Sequence, residues 1–360
     1  MPDVKTWDVI IIGGGIIGIS LALALRKKGV TVLIVERGEP GREASSAAGG
    51  MLVDCPLETR PELQQLATAS ARMYPEFVHE LKLESGIDPD LREFGTIVFP
   101  CQEHLDAHPD FNFTCLSTSE LKILEPALAD LNQPAFYRQE RSVDPRALVH
   151  AAIEAAKCRG VDFSSGDAVC EALVSNGHIS GVRTVKTTFS TAKVVNCAGA
   201  WAGKIPPHAL PTRPMKGQML CLVTHSHSRL KHVVRSPEVY LIPRSDGRIL
   251  VGATVEDVGF DKRTDPETIR NFHRAAIALV PELRNARIHE NWAGLRPGTP
   301  DGLPMLGATA TPGYYVATGH FRDGILLAPI TAQIMAEVIV GCDPGYDLKP
   351  FAAARFSSRL

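Results

Sequence analysis

The stretch DVIIIGGGIIG at residues 8–18 decides the fold. Its first five residues form a largely β-branched run typical of a buried strand. The six that follow, GGGIIG, fit the pattern G-x-G-x-x-G. In this pattern Gly13 permits a tight turn, Gly15 lets the backbone approach a pyrophosphate, and Gly18 lets a helix pack closely on the strand. The stretch therefore predicts the start of a dinucleotide-binding βαβ unit.

The next residues complete that unit. A helix-compatible segment at 19–28 ends at Gly29, a second apolar strand covers 31–35, and Glu36 follows. A carboxylate at this position accepts hydrogen bonds from ribose hydroxyls and repels a 2′-phosphate, which disfavours NADP. The helix N-terminus offers free N–H groups to the phosphates. A glycine-rich turn without a ligand is the alternative, and these residues do not separate FAD from NAD.

Composition narrows the class of protein. The chain has 360 residues, enough for two or three domains, with 44% hydrophobic and 22% charged residues. This balance excludes a disordered or fibrous chain. The 38 basic and 40 acidic residues leave a net charge of −2, so we expect no nucleic-acid partner. The eight cysteines include no CxxC pair and are typical of reduced intracellular thiols.

Two apolar runs resemble membrane segments at first sight. The run at 9–25 carries four glycines and is better explained as a strand leading into a buried helix. The run at 325–341 contains Pro329, Gln333 and Glu337 and fits a largely buried helix. We therefore expect a cytoplasmic protein with no integral membrane segment.

Several further segments resemble the D-amino-acid oxidase superfamily of FAD-dependent oxidoreductases, and most of all its bacterial glycine oxidase branch. The resemblance extends from about residue 7 to about residue 356. It is carried by EASSAAGGM at 43–51, VVNCAGAW at 194–201, YLIPR at 240–244, WAGLRP at 292–297 and GHFRDGI at 319–325. The resemblance implies that FAD is bound non-covalently. It also implies a role in thiamine biosynthesis. The alternative of an NAD-binding dehydrogenase does not account for the motif GHFRDGI at 319–325.

The resemblance also implies an α/β architecture in which a Rossmann-type FAD-binding domain is interleaved with a mixed-sheet α+β substrate domain. The expected FAD-binding domain comprises 1–90, 145–210 and 290–360, and the expected substrate domain comprises 91–144 and 211–289. The local patterns agree with this division. They predict a helix at 145–159, short strands at 161–163, 168–174, 178–185, 193–197 and 314–317, strand-rich stretches at 94–143 and 214–255, and a hairpin turn at 245–247.

The cofactor contacts that the resemblance implies lie in six separate stretches of the chain. A helix beginning near residue 324 would stabilise an anionic reduced flavin through its N-terminal dipole. The predicted contacts are Gly13, Gly15, Ile16, Ile17, Gly18, Glu36, Arg37, Ser45, Ser46, Gly49, Gly50, Met51, Val169, Gly199, His320, Phe321, Arg322, Asp323, Gly324, Ile325 and Leu326.

Three residues are the predicted catalytic set. Arginine is the natural receptor for a substrate carboxylate, because its planar fork binds two oxygens at once. By resemblance, Arg296 is that bidentate partner, Tyr240 donates its hydroxyl to the same carboxylate, and Arg322 lies near the flavin beside the substrate. Two positions depart from the glycine oxidase pattern: Glu238 replaces a histidine and Val255 replaces a methionine.

The expected reaction is oxidative deamination of glycine, a small amine or a D-amino acid. A hydride passes from Cα of the neutral amine to flavin, and dioxygen regenerates the flavin with release of peroxide. A D-amino-acid dehydrogenase that uses a quinone or another carrier is the alternative, and a non-catalytic FAD-binding subunit is a weaker one. We expect a homo-oligomer. We expect no metal at His225, His227 and His232, because their neighbours are basic.

Overall fold

The structure is a computed structural model that describes residues 6–54, 59–100, 114–131, 133–224 and 230–356. The α-helices are α1 (Ile16–Lys27), α2 (Ala44–Ala47), α3 (Pro61–Ser85), α4 (Thr118–Leu124), α5 (Pro145–Cys158), α6 (Pro266–Leu279) and α7 (Gly324–Val340). Short 3-10 helices lie at Gly199–Lys204, Pro281–Asn285, Lys349–Phe351 and Ala353–Phe356. None of the helices in these ranges combines the length and the apolar character that a membrane crossing needs.

The strands are β1 (Val9–Ile12), β2 (Val32–Glu36), β3 (Met51–Leu52), β4 (Thr96–Val98), β5 (Thr114–Leu116), β6 (Ala135–Arg138), β7 (Arg141–Ser142), β8 (Asp162–Ser165), β9 (Val169–Ser175), β10 (His178–Thr184), β11 (Thr188–Ser190), β12 (Val194–Asn196), β13 (Arg213–Val223), β14 (Val233–Arg235), β15 (Tyr240–Pro243), β16 (Arg248–Gly252), β17 (Arg287–Gly298), β18 (Met305–Ala308) and β19 (Tyr314–Thr318). They form sheets of six, eight, three and two strands.

The six-stranded sheet is the dinucleotide-binding core. Its order is β18-β19-β12-β1-β2-β8, and only the pairing of the edge strand β18 is antiparallel. Both faces are covered. Val9, Ile11 and Ile34 pack with α1, α3, α5 and α7, whereas Ile10 and Leu33 pack towards the three-stranded sheet β11-β10-β9. Burial on both faces explains why β1 and β2 are apolar throughout instead of alternating.

The eight-stranded sheet forms the substrate lobe, in the order β17-β13-β16-β15-β14-β4-β6-β5. It is a mixed sheet because β14 and β4 run parallel while the other pairs are antiparallel. One face packs on α6 through residues such as Leu220 and Val251. The opposite face carries Met219, Ile242 and Tyr240 towards the dinucleotide-binding lobe.

The predicted α/β fold with interleaved lobes is confirmed. The helix predicted at 145–159 is α5, the apolar run at 325–341 is almost all α7, and the turn at 245–247 joins the antiparallel pair β15 and β16. The helix predicted at 19–28 begins three residues earlier, at Ile16, because the glycine turn ends at Gly15. Strand β17 lies in the substrate sheet over Arg287–Gly298, across the predicted boundary at 290. The domain boundaries themselves stay a prediction.

Candidate active site

A cavity of about 660 Å³ lies between the two large sheets. At one end it is lined by the carboxyl ends of β1 and β2, at Ile12 and Glu36. At the other end it reaches Tyr240 on β15 and Arg296 on β17. In open α/β sheets, ligands bind beyond the carboxyl ends of the parallel strands. The cavity thus joins the predicted dinucleotide site to the predicted catalytic residues.

Two glycines make close backbone packing possible at the dinucleotide end. Gly13 has φ +105°, and a Cβ there would lie 2.6 Å from the carbonyl oxygen of Cys197. A Cβ on Gly18 would lie 2.2 Å from the carbonyl oxygen of Gly13. Gly18 therefore lets α1 pack directly on the turn and does not itself line the cavity. Gly15, the N-cap of α1, has no side chain to cap the helix, so N–H groups of the first turn other than that of Ile16 remain available to an anion.

Two polar side chains define the walls beside this helix. Ser45 Oγ accepts a hydrogen bond from the backbone N–H of Ile16 at 2.9 Å. The Glu36 carboxylate accepts one bond from Gly14 N and one from Gly38 N, each at 2.8 Å. A carboxylate has about four lone-pair sites, so Glu36 retains acceptor capacity for ribose hydroxyls.

The loop at 43–51 is held against the substrate sheet by its carbonyl groups. Trp292 Nε1 donates to Ala47 O at 3.1 Å, and Arg244 Nη2 donates to Gly49 O at 2.5 Å. A Cβ on Gly49 would lie 2.8 Å from Ile242 Cδ1, so the loop needs glycine here. These contacts place one wall of the cavity on the strand that carries Tyr240.

The structure brings nearly all of the predicted site residues together. Gly18 and Ser46 are the two that do not line the cavity; Ser46 Oγ donates instead to Glu43 O at 3.3 Å. The lining includes Gly13, Gly15, Ile16, Ile17, Glu36, Arg37, Ser45, Gly49, Gly50, Met51, Val169, Gly199, Tyr240, Arg296, His320, Phe321, Arg322, Asp323, Gly324, Ile325 and Leu326.

A glycine makes room for the guanidinium of Arg296. A Cβ on Gly217 would lie 2.2–2.5 Å from the Nη1, Cζ and Nη2 atoms of Arg296. Nη1 of Arg296 donates to the carbonyl oxygen of Thr254 at 2.9 Å. The guanidinium also interacts with Lys216 O at 3.4 Å and with the Tyr240 side chain. A carboxylate is the ligand group that matches such a fork.

Electrostatics at this end favour an anionic ligand and a protonated phenol. Burial raises the pKa of Tyr240, while Arg296 and Arg322 oppose that shift. The Tyr240 hydroxyl therefore stays protonated and remains a donor. Burial lowers the pKa of Arg296, but a guanidinium keeps its charge in a protein. The site thus holds positive charge that the protein only partly compensates.

The start of α7 forms the remaining wall. Burial lowers the pKa of His320 to about 3, and its Nε2 lies 3.1 Å from Thr331 Oγ1. This imidazole is therefore neutral and engaged within the fold. Burial raises the pKa of Asp323 to about 6, although Arg322 opposes the shift. The helix start places N–H groups on this wall, because the first turn of a helix leaves them without backbone partners and no side chain caps α7.

Several lining residues were not predicted from the sequence as contacts. Trp201, Lys204 and Arg235 are among them. Trp201 belongs to the motif at 194–201, so the sequence did point to it, whereas no sequence motif contains Lys204 or Arg235. Glu238 and Val255, the two departures from the family pattern, also line the cavity. Cys197 lines it too, but burial raises the pKa of its thiol, which leaves it unreactive.

Of the three histidines at which no metal is expected, His232 lies within the described residues. His225 and His227 lie outside the described residues. His232 packs its Nδ1 2.9 Å from Glu125 Oε2 in the substrate lobe. Within the described ranges, no group of three or more His, Cys, Asp or Glu side chains is arranged to hold a metal ion.

Comparison with protein families matches residues 8–338 to the family described as FAD dependent oxidoreductase. The chain belongs to this family. It is 33% identical to a glycine oxidase of Geobacillus kaustophilus, over 98% of both chains. The crystal structure of glycine oxidase from that organism superposes with a TM-score of 0.92, at 31% identity, and covers 98% of this chain and 99% of the other. The predicted family and fold are confirmed.

A longer relative matches over part of its length. The chain is 34% identical to the bifunctional protein ThiO/ThiG of Trichormus variabilis over 98% of its own length. It spans 56% of that relative, and about half of the other two ThiO/ThiG proteins that it matches.

The cavity of this family member fits FAD. Close-packed glycines and the N–H groups at the start of α1 suit a pyrophosphate, and Glu36 suits a ribose. The cavity continues to the start of α7. The chain is therefore a member of the FAD dependent oxidoreductase family whose candidate cofactor site and candidate catalytic arginine share one cavity.

Proposed function

We propose that this chain oxidises glycine or another small amino acid with non-covalently bound FAD. The observation that carries the proposal is the pairing of Arg296 and Tyr240 at the end of the cavity opposite the glycine turn. One offers a buried guanidinium fork and the other a buried hydroxyl donor. The substrate carboxylate is bound by these two groups, with Arg322 beside it, and this directs Cα towards the start of α7.

When bound, FAD supplies the oxidising chemistry: it accepts a hydride from Cα, and dioxygen is the final electron acceptor. The imino acid product is hydrolysed by water. The substrate amine enters neutral. The His320 imidazole is a poor base for it, because it is buried, engaged with Thr331 and has a lowered pKa. Turnover therefore rises with pH as the substrate loses its ammonium proton.

Cofactor attachment is non-covalent in this proposal. The lining thiol of Cys197 has a raised pKa, and the lining imidazole of His320 is bonded to Thr331. Neither is a ready nucleophile for attachment. Acid precipitation of the protein should release all of its flavin into the supernatant; flavin retained in the pellet would overturn this part of the proposal.

The relatives support an amino-acid substrate. Proteins named glycine oxidase match over nearly the whole of both chains at 30–33% identity. The size of the substrate side chain that the cavity accepts depends on Glu238 and Val255, which line it where the family pattern has histidine and methionine. The carboxylate of Glu238 at this wall favours a substrate whose side chain carries an amino group over one whose side chain carries a second carboxylate.

Anaerobic bleaching of the flavin absorbance tests the function. Glycine, sarcosine, D-alanine, D-proline and a basic D-amino acid are each added to the purified protein, and air is then admitted. Bleaching by glycine or sarcosine, with recovery and peroxide formation in air, is the expected result. Slow recovery in air with fast recovery on an added quinone would favour the dehydrogenase. A flavin that no substrate bleaches would leave only an FAD-binding subunit.

The association state is a separate part of the proposal. We propose a homo-oligomer, on family resemblance alone. Light scattering of the purified holoprotein measures its mass against the 38.9 kDa of one chain, and a monomer at micromolar concentration would contradict it.

A further inference from the structure

The segment between β16 and α6 crosses from the substrate lobe to the dinucleotide-binding lobe. Its two ends are fixed on β13: Glu256 forms an ion pair with Lys216 at 3.2 Å, and Asp265 N donates to Gln218 Oε1 at 2.7 Å. Between these anchors the segment carries Phe260. We call residues 256–265 the crossing segment.

Phe260 contacts the opposite lobe through its ring. The ring lies 5.2 Å from that of Trp201, with an interplanar angle of 38°. Lys204 Nζ lies 3.9 Å from the centroid of Phe260, and Arg37 Cζ lies 3.6 Å from the centroid of Trp201. Two aromatic rings are thus held between two cations, an arrangement in which stacking and cation–π attraction add.

An ion-pair chain makes a second connection. Lys262 Nζ lies 3.1 Å from Glu43 Oε2, and Arg37 Nη2 lies 2.5 Å from Glu43 Oε1. Both connections therefore meet at Arg37. Exposed ion pairs of this kind contribute little each, so the ring contact has the larger effect on stability.

Phe260 and Lys262 contact Trp201, Lys204 and Glu43. These three residues line the cofactor cavity, as does Arg37, which contacts Trp201 and Glu43. Arg37 follows Glu36, the acceptor suited to ribose, so this wall belongs to the adenosine half of the cavity. Phe260 and Lys262 hold this wall from outside.

We propose that Phe260 and Lys262 are positioning residues of the cofactor site, which clamp the adenosine wall and slow the release of FAD. The inference rests on FAD binding, which the proposed function also requires. It adds that the substrate lobe, through a segment not assigned to the cofactor site, controls retention of the cofactor. FAD leaves when the contact between Phe260 and Trp201 opens.

The test measures FAD release from the holoprotein in the absence of substrate. Flavin fluorescence is followed after the protein is diluted into an excess of an FAD-specific apoprotein, which traps released cofactor. We expect Phe260→Ala to raise the release rate about tenfold and Phe260→Tyr, which keeps the ring, to restore the slow rate. Val258→Ala is the matched control, since Val258 is exposed in the same segment. Lys262→Gln should raise the rate about twofold, and less at high salt.

Equal release rates for Phe260→Ala and Val258→Ala would overturn the proposal, as would failure of Phe260→Tyr to restore slow release. If Phe260→Ala is purified without flavin, the dissociation constant for added FAD replaces the rate, and a wild-type value would also overturn it. No substrate enters these measurements. The results can therefore contradict the role of Phe260 and Lys262 without contradicting the proposed amino-acid oxidation. Equally, failure of the proposed oxidation would leave this role untouched.

Discussion

At the scale of single residues, the fork of Arg296 is the group on which substrate binding depends. Arg296→Lys keeps the charge but loses the paired donors, so we expect kcat/KM for the best amino acid to fall about 100-fold. Steady-state kinetics measure the change. Acetate, which presents only a carboxylate, should inhibit the wild type competitively and the variant far more weakly.

Arg270→Lys, on the exposed face of α6, is the matched control and should leave both measurements unchanged. If Arg296→Lys kept wild-type kcat/KM and acetate inhibition, the carboxylate would have to bind elsewhere in the cavity.

Gly217 affects substrate binding through Arg296, because it leaves room for the guanidinium. A Cβ at this position would meet the guanidinium at 2.2–2.5 Å, so Gly217→Ala must displace it. We expect kcat/KM to fall about tenfold or more, since misplacement of a binding group by about 1 Å is costly. In the Arg296→Lys background the same substitution should cost much less. Additive losses in this double-mutant cycle would show that Gly217 acts through general stability.

At the scale of elements, the hydrogen bonds between α3 and α7 hold the helix start that lines the cavity. Tyr74 OH donates to Ile325 O, and Ser70 Oγ donates to Leu326 O at 2.6 Å. Tyr74→Phe leaves the buried carbonyl of Ile325 without this donor. We expect the free energy of unfolding to fall by about 1–3 kcal/mol, as measured by urea denaturation.

The control for this prediction is Tyr315→Phe on β19, because no hydrogen bond of the Tyr315 hydroxyl occurs within the described ranges. Its effect should stay within about 0.5 kcal/mol. Equal losses from the two substitutions would contradict a specific role for the bond between Tyr74 and Ile325.

Elements differ in how far the sequence predicts them. The β1–α1–β2 unit is local, so apolar runs and glycines predict it to within a few residues. Helix α3 was not predicted, although it packs against α7. Strand β17 joins the substrate sheet by pairing with β13, whose residues lie 64 to 85 positions away along the chain. Such pairings depend on contacts distant in sequence. The contact of Arg37 with Trp201, and of Trp201 with Phe260, was unpredictable for the same reason.

At the scale of the whole molecule, ion pairs join the two lobes around the cavity. Arg138 lies 3.0 Å from Asp54, and Arg248 lies 2.5 Å from Asp144, which also caps α5. Charged groups at such a boundary make global stability depend on pH wherever folding shifts a pKa. The carboxyl with the largest upward shift near this boundary is that of Glu140, which is almost fully buried beside Arg138.

Burial raises the pKa of Glu140 from 4.5 to about 7, although Thr96 and Arg138 oppose the shift. Between these values the folded state retains a proton that the unfolded state has lost, so stability falls as pH rises through this window and levels off above it. The full loss is about 3 kcal/mol. Glu140→Gln cannot ionise. The free energy of unfolding of the wild type minus that of the variant should therefore fall by about this amount from pH 4.5 to pH 8. Urea denaturation at several pH values measures it, and a flat or rising difference would mean that Glu140 is ionised in the folded protein and stabilised by its arginine neighbour.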